Sequence, residues 1–136
     1  MDKTSKLFDR WATSGRSEDM EKGHGTTVNQ FLDNLSIKQN FRFLDIGCGN
    51  GWVVRKMSQH NSCIKAIGID KSMMMVKNAK SKIISEKENY FVTDLETWKT
   101  KEKFDIIFSM ESLYYSVPME PALEKVFKLL KKGGIF

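Results

Sequence analysis

Cysteine, histidine, proline and arginine are all scarce in this 136-residue chain, and the shortages of cysteine, histidine and arginine each exclude something. The two cysteines, Cys48 and Cys63, are too few for a disulfide scaffold. Cys48 also lies inside a glycine-rich run, where a disulfide would obstruct a ligand, so two reduced thiols in a cytoplasmic protein are expected. The two histidines, His24 and His60, are as scattered as the cysteines, and no metal-ligand spacing results. No apolar run approaches the roughly 18 residues that span a membrane. The opening Met1-Asp2-Lys3-Thr4-Ser5-Lys6 is not followed by the apolar core of a signal peptide. Arginine is short where a net charge of +5 invites a nucleic-acid partner: Arg10, Arg16, Arg42 and Arg55 are the only four among 22 basic residues. Arginine is the usual reader of phosphates and bases, so a solvated lysine surface is favoured and nucleic acid is the weaker alternative.

What is present is ordinary for one globular domain, with 40% hydrophobic and 29% charged residues. Residues 1–25 are polar, with apolar anchors at Leu7, Phe8 and Trp11. From Thr26 or Thr27, Val28, Phe31, Leu32 and Leu35 follow helical spacing. Residues 41–46 read as a first strand and about 51–59 as a helix. Ile64–Ile69 reads as a second strand ending at Asp70. Ser72 suits the cap of a helix over roughly 72–85, with Met73, Val76, Ala79, Lys80 and Ile83 along one side. The methionine run 73–75 spans more than one helix face and reads as core filling plus pocket wall. Tyr90-Phe91-Val92 reads as a short third strand, and Phe104–Met110 as a fourth, apolar on both faces and so central. A helix over about 121–131 should turn Leu123, Val126, Phe127 and Leu130 inward, with Pro121 in its first turn and Gly133 at its stop. Ile135-Phe136 looks like the start of a fifth strand, where the chain ends, so a fragment is expected. Alternating strands and helices predict an α/β fold, a three-layer αβα sandwich around a mainly parallel sheet.

The chemistry concentrates in Leu44-Asp45-Ile46-Gly47-Cys48-Gly49-Asn50-Gly51-Trp52. A strand running into closely spaced glycines and then a helix builds a nucleotide cradle, because glycine lets the backbone approach a ligand. The dinucleotide fingerprint needs a small residue at its sixth position, and here that position holds Trp52. An acid two residues before Gly-x-Gly-x-Gly resembles instead the first motif of class I S-adenosylmethionine-dependent methyltransferases. Gly68-Ile69-Asp70-Lys71-Ser72 resembles the second motif of that family, Thr93-Asp94-Leu95 the third, and Phe104–Met110 the fourth-strand motif. Four motifs thus stand in order over residues 41–116, a match to a superfamily rather than to one enzyme.

The resemblance implies a Rossmann-like fold incomplete at its C-terminus, with 1–25 as a lid segment and 26–136 as the core of a single domain. It implies S-adenosylmethionine, or S-adenosylhomocysteine as bound product. Asp45 would lie near the methionine end with Gly47, Cys48, Gly49, Asn50, Gly51 and Trp52. Asp70 and Lys71 would meet the ribose, Asp94 and Leu95 the adenine, while Met110 and Trp11 would border the site. Read singly, Asp45, Asp70 and Asp94 are equally suited to capping a turn. Catalytic residues are weakly marked: Glu111 and Tyr114, with Tyr115 beside them, follow the fourth strand, and His24 sits in a loop before the first helix. His60 reads as a solvent-facing residue at a helix end. After the fourth strand stands Ser109-Met110-Glu111-Ser112, not the Asn-Pro-Pro-aromatic signature of nucleobase amino-methyltransferases, and no cysteine follows. A small-molecule methyl acceptor is therefore expected, with an RNA methyltransferase or an inactive cofactor-binding module as alternatives. Self-association through an unpaired sheet edge is a further expectation.

Overall fold

The computed structural model describes residues 39–109 and 119–136. The expected helix after Thr26, the 1–25 segment with Trp11 and His24, and Met110, Glu111, Tyr114 and Tyr115 lie outside them. In chain order the elements are β1 Phe41–Ile46, α1 Trp52–Ser58, β2 Cys63–Asp70, α2 Met73–Ser81, β3 Glu88–Val92, β4 Phe104–Ser109, α3 Met119–Leu129 and β5 Leu130–Ile135.

The five strands form one sheet in the order β3-β2-β1-β4-β5, and every pairing is parallel. Parallel neighbours need crossovers, and the helices supply them on both faces, giving the three layers expected. β1 lies between β2 and β4, which is why Phe43 and Leu44 are both fully buried although they point to opposite faces. On one face Phe41 and Phe43 pack with Val53, Val54 and Met57 of α1 and Val76 and Ala79 of α2. On the other, Leu44, Ile67, Ile69 and Phe104 pack with Ala122, Val126 and Leu129 of α3 and with Leu95 and Trp98. Each of the buried Val, Leu, Ile, Phe and Met side chains contributes about 1.5–3 kcal/mol. The sequence order reverses between β1 and β4, the switch point at which open parallel sheets place ligands at their carboxyl ends.

Ser72 caps α2 as expected, its Oγ accepting the Met75 N–H at 3.1 Å. Several expectations are corrected. The buried stripe of α2 is Met75, Val76 and Ala79, whereas Met73 is exposed, and so is Ile83, which lies past the end of the helix. α2 ends at Ser81, not near 85, and β3 starts at Glu88. α3 turns Ala122, Val126 and Leu129 inward and leaves Phe127 70% exposed. β5 begins at Leu130, not Ile135, so Leu130 joins the sheet. Gly133, with φ 80°, lies in the irregular stretch between the pairs Phe104–Leu130 and Ile106–Ile135 and does not end the helix.

Candidate cofactor site

β1 leaves the sheet at Ile46, and the chain must turn within five residues to lay α1 on the sheet. Gly47, Gly49 and Gly51 make the turn with φ of 74°, 56° and 83°. That left-handed region costs an ordinary L residue about 1–2 kcal/mol. Two of these glycines have opposite surroundings. A Cβ on Gly49 would meet nothing within 4 Å, so this peptide borders open space. A Cβ on Gly51 would stand 2.6–2.8 Å from the hydroxyl and ring of Tyr90, so this peptide is pressed onto β3. The loop has an open side and a filled floor.

Backbone bonds hold it in place. The N–H groups of Gly47 and Cys48 both donate to the Ile69 carbonyl, at 2.8 and 3.0 Å, and Gly51 donates to the Cys48 carbonyl at 3.0 Å. The Gly49 N–H donates to Asp70 Oδ2 at 2.9 Å, while Asp70 Oδ1 accepts the Ser72 N–H at 2.8 Å. Asn50 is buried, with its Oδ1 accepting the Trp52 N–H at 3.2 Å and its carbonyl accepting Arg55 Nη1 at 2.5 Å. One carboxylate thus ties the glycine loop to the end of β2, and an asparagine ties it to α1.

Asp45 is buried beside this arrangement, and its carboxyl is pushed well above the usual carboxylate range, by burial first and by the Asp70 charge second. Burial, with Asp70 and Asp45 adding to it, also raises the Cys48 thiol, while Arg55 acts the other way. Two buried acids next to a glycine peptide with open space beside it fit a ligand that carries positive charge and needs close backbone approach.

The other sequence-marked residues divide. Cys48 turns its side chain into the core: its Cβ and Sγ lie 2.8 Å from where a Gly68 Cβ would be, leaving only its backbone in the loop. Trp52 is half-buried against the core on the α1 side, and Lys71 is half-buried directly after Asp70. Beyond β3, the Thr93 N–H donates to the Asp70 carbonyl at 3.0 Å, bringing the ends of β2 and β3 together. Asp94 Oδ1 accepts the Thr97 N–H at 2.8 Å, so this acid does form a turn, and Leu95 is buried in the α3-side core. His60 is exposed as expected and sets its ring edge-on to Phe41. Met73 and Met74 are exposed and only Met75 fills the core.

Sequence reasoning missed Glu88 and Tyr90, both buried. Glu88 Oε2 accepts the Ile84 and Ser85 N–H groups at 2.8 and 2.9 Å, and Oε1 accepts the Tyr90 hydroxyl at 2.7 Å. The same hydroxyl lies 3.3 Å from the Gly51 carbonyl. Burial and the Glu88 carboxylate both raise the Tyr90 phenol, which stays protonated and donating. An acid and a tyrosine two apart on one strand share a face, and that spacing was the available signal. Among the described residues no three acids, histidines or cysteines are placed to hold a metal, and no helix is long and apolar enough to cross a membrane.

A methyltransferase-domain family profile matches residues 43–134. The malonyl-[acyl-carrier protein] O-methyltransferase 2 of Ilyobacter polytropus is 31% identical over 98% of this chain and 49% of its own length. The ubiquinone biosynthesis O-methyltransferase of Pelagibacter ubique is 29% identical over 99% of this chain and 61% of its own. The chain thus spans about half the length of the curated relatives it matches. The N-methyltransferase NodS of Bradyrhizobium japonicum, solved with S-adenosyl-L-homocysteine, superposes with a TM-score of 0.79 at 27% identity, over 98% of this chain and 71% of that one. Profile, relatives and superposition agree with the motifs and the sheet order, and the chain belongs to the methyltransferase-domain family, the Rossmann-like S-adenosylmethionine-dependent class.

Proposed function

We propose that this domain binds S-adenosylmethionine at the carboxyl ends of β1, β2 and β3 and serves methyl transfer to a small-molecule acceptor. The observation that carries the reading is the bond from Gly49 to Asp70 beside open space, which joins the first two motifs in one site. Bound there, the cofactor supplies an electrophilic methyl group on a cationic sulfonium. The chain's own part is to hold and orient. Asp70, already fixed by Gly49 and Ser72, is assigned to the ribose hydroxyls, with Lys71 beside it. Asp45 and the backbone of the 47–51 loop, with Trp52, are assigned to the methionine end, where an ammonium group would draw the buried Asp45 carboxyl toward its charged form. Asp94, whose Oδ1 holds its own turn, and the Leu95 N–H are assigned to the adenine. Positioning of this kind supplies much of the acceleration in an in-line displacement, and a base is needed only where the acceptor must lose a proton.

Glu111, Tyr114 and His24 are proposed for the acceptor side, Met110 and Trp11 for the border of the cofactor, and residues 1–25 for a lid over a single domain. The relatives' names, an O-methyltransferase of ubiquinone biosynthesis and a malonyl-[acyl-carrier protein] O-methyltransferase, support an acceptor other than a nucleobase. Two free, buried thiols support a cytoplasmic setting. Calorimetry with S-adenosylhomocysteine tests the cofactor half: saturable binding is expected, weakened at least about tenfold in Asp70→Ala, the scale of a lost charged hydrogen bond. No binding by folded protein, or equal binding by the variant, overturns it. Steeply salt-dependent RNA binding, with no product from a panel of phenols, carboxylic acids and amines, overturns the small-molecule half.

A further inference from the structure

The glycine loop rests on a column whose lower members, Ile84, Ser85, Glu88 and Tyr90, lie outside the four motifs. Its base is the turn at Ile84 and Ser85, whose N–H groups hold Glu88 Oε2. Glu88 Oε1 takes the Tyr90 hydroxyl at 2.7 Å, and the top of the column is the Gly51 carbonyl, 3.3 Å from the same hydroxyl. The ring is wedged as well as hydrogen-bonded. Cβ atoms placed on Gly51 and on Gly68 would come within 2.6 and 2.9 Å of Tyr90 atoms, so the ring fills the space beneath both glycines. Gly51 is also the N-cap of α1, its carbonyl accepting the Arg55 N–H at 2.8 Å. A displacement of Tyr90 would therefore move the loop and the first turn of α1 together.

We infer that Tyr90, held upright by Glu88, is a positioning residue that sets the height and stiffness of the glycine loop and so the hold on the cofactor's amino-acid end. The inference rests on the cofactor reading above, and goes beyond it to a residue in the floor that touches no ligand. Tyr90→Phe keeps the wedge and removes the hydroxyl. Glu88→Gln keeps a polar partner for the hydroxyl. Its carbonyl oxygen stays on the Ile84 and Ser85 N–H groups, because an amide nitrogen cannot accept them, so its amide donates to the phenol oxygen and turns the phenol proton toward Gly51.

Two ligands separate positioning from general loosening. S-adenosylhomocysteine carries the amino-acid chain that the loop would hold, and 5′-methylthioadenosine shares its nucleoside but lacks that chain. Calorimetry well below the melting temperature should show Tyr90→Phe weakening S-adenosylhomocysteine by about two- to tenfold, the range of one hydrogen bond. The methylthioadenosine affinity should stay within about twofold, and Glu88→Gln should bind both like the wild type. Equal losses for the two ligands, no loss for either, or a loss in Glu88→Gln matching Tyr90→Phe would each overturn the inference. A ligand-free measurement keeps it separable from the cofactor reading. Amide exchange at Gly51, Trp52 and Arg55 should quicken in Tyr90→Phe while Val76 and Ala79 of α2 stay protected. If the wild type binds neither ligand, the cofactor reading falls and exchange alone decides the role of Tyr90; unchanged exchange overturns it.

Discussion

The Asp70 carboxylate accepts the Gly49 N–H at 2.9 Å across 21 residues of sequence. The bond joins the end of β2 to the middle of the loop that follows β1, and the Ile69 carbonyl beside it takes two more loop N–H groups. Asp70 is therefore more than a candidate ligand residue. It is part of the frame that holds the glycine peptide whose neighbouring space is open.

Asp45 is the next consequence of that geometry. Its raised carboxyl means that the folded domain holds the proton more tightly than the unfolded chain, where an aspartate titrates near about 3.9. The native state therefore loses stability as pH rises through that unfolded value toward the raised folded one. Asp45→Asn should melt higher than the wild type, with the difference opening above about pH 4 and absent well below it. S-adenosylhomocysteine affinity should fall in the same variant. Thermal melts across pH with parallel calorimetry check both signs, and a variant that melts lower at pH 7 contradicts the burial argument.

Gly49 and Gly51 should respond differently to one added methyl group. Gly49→Ala meets only left-handed strain, about 1–2 kcal/mol, because no atom lies within 4 Å of the new Cβ. It should stay folded and lose cofactor affinity. Gly51→Ala adds a 2.6 Å clash with Tyr90 to the same strain, so its main loss should be in stability. Paired denaturation and binding measurements separate the two, and similar melting of both variants would contradict the difference.

At the other end of the sheet, Glu102 accepts Lys65 Nζ at 2.7 Å and Arg42 Nη1 at 3.0 Å, bridging β2 and β1. The Lys65 bond, with help from Arg42, holds its carboxyl below the usual range. That contribution is complete above the unfolded value near about 4.3 and is lost as pH falls through the lowered folded value. Partial exposure limits it to about 0.2–1 kcal/mol. Glu102→Gln should melt a few degrees lower at pH 7, match the wild type in strong acid, and bind S-adenosylhomocysteine unchanged. A pH-independent difference would show that the charge is not the cause.

The β5 side of the sheet should make this chain self-associate. Among the described strands β5 bonds only to β4, and Phe127, Ile135 and Phe136 nearby are 70%, 51% and 50% exposed. Sedimentation velocity over a concentration series should show reversible association, weakened by Phe127→Lys. A monodisperse, thermally stable monomer at all concentrations contradicts this.

Where local patterning governs, the sequence reads well. The strand positions of β1, β2 and β4, the parallel sheet and the glycine loop all follow from apolar runs and from glycines between a strand and a helix. The cap at Ser72 follows from the residue type alone. Helix phase does not. Met73, Ile83 and Phe127 are as apolar as the residues that are buried, and packing against the sheet chooses among faces of similar hydropathy. The start of β5 was hidden in the same way, because Leu130-Lys131-Lys132 continues a helical pattern until pairing with Phe104 draws Leu130 into the sheet. Glu88 and Tyr90 were unread because an acid and a tyrosine in a short strand look like a solvated edge until the Ile84 and Ser85 N–H groups close on Glu88 and the Gly51 peptide on Tyr90.

By itself, the sequence determined that a strand, three glycines and a helix would make a ligand cradle with acids at the next strand ends. Those features depend on backbone freedom and short-range spacing. Only the tertiary structure decided that Gly51 is packed and Gly49 open, that Cys48 points into the core, and that Asp70 and Tyr90 brace the loop from two sides. Each of those outcomes sets residues far apart in the chain within hydrogen-bond or van der Waals reach. That distance is a property of how β1, β2 and β3 lie side by side, and no local pattern encodes it.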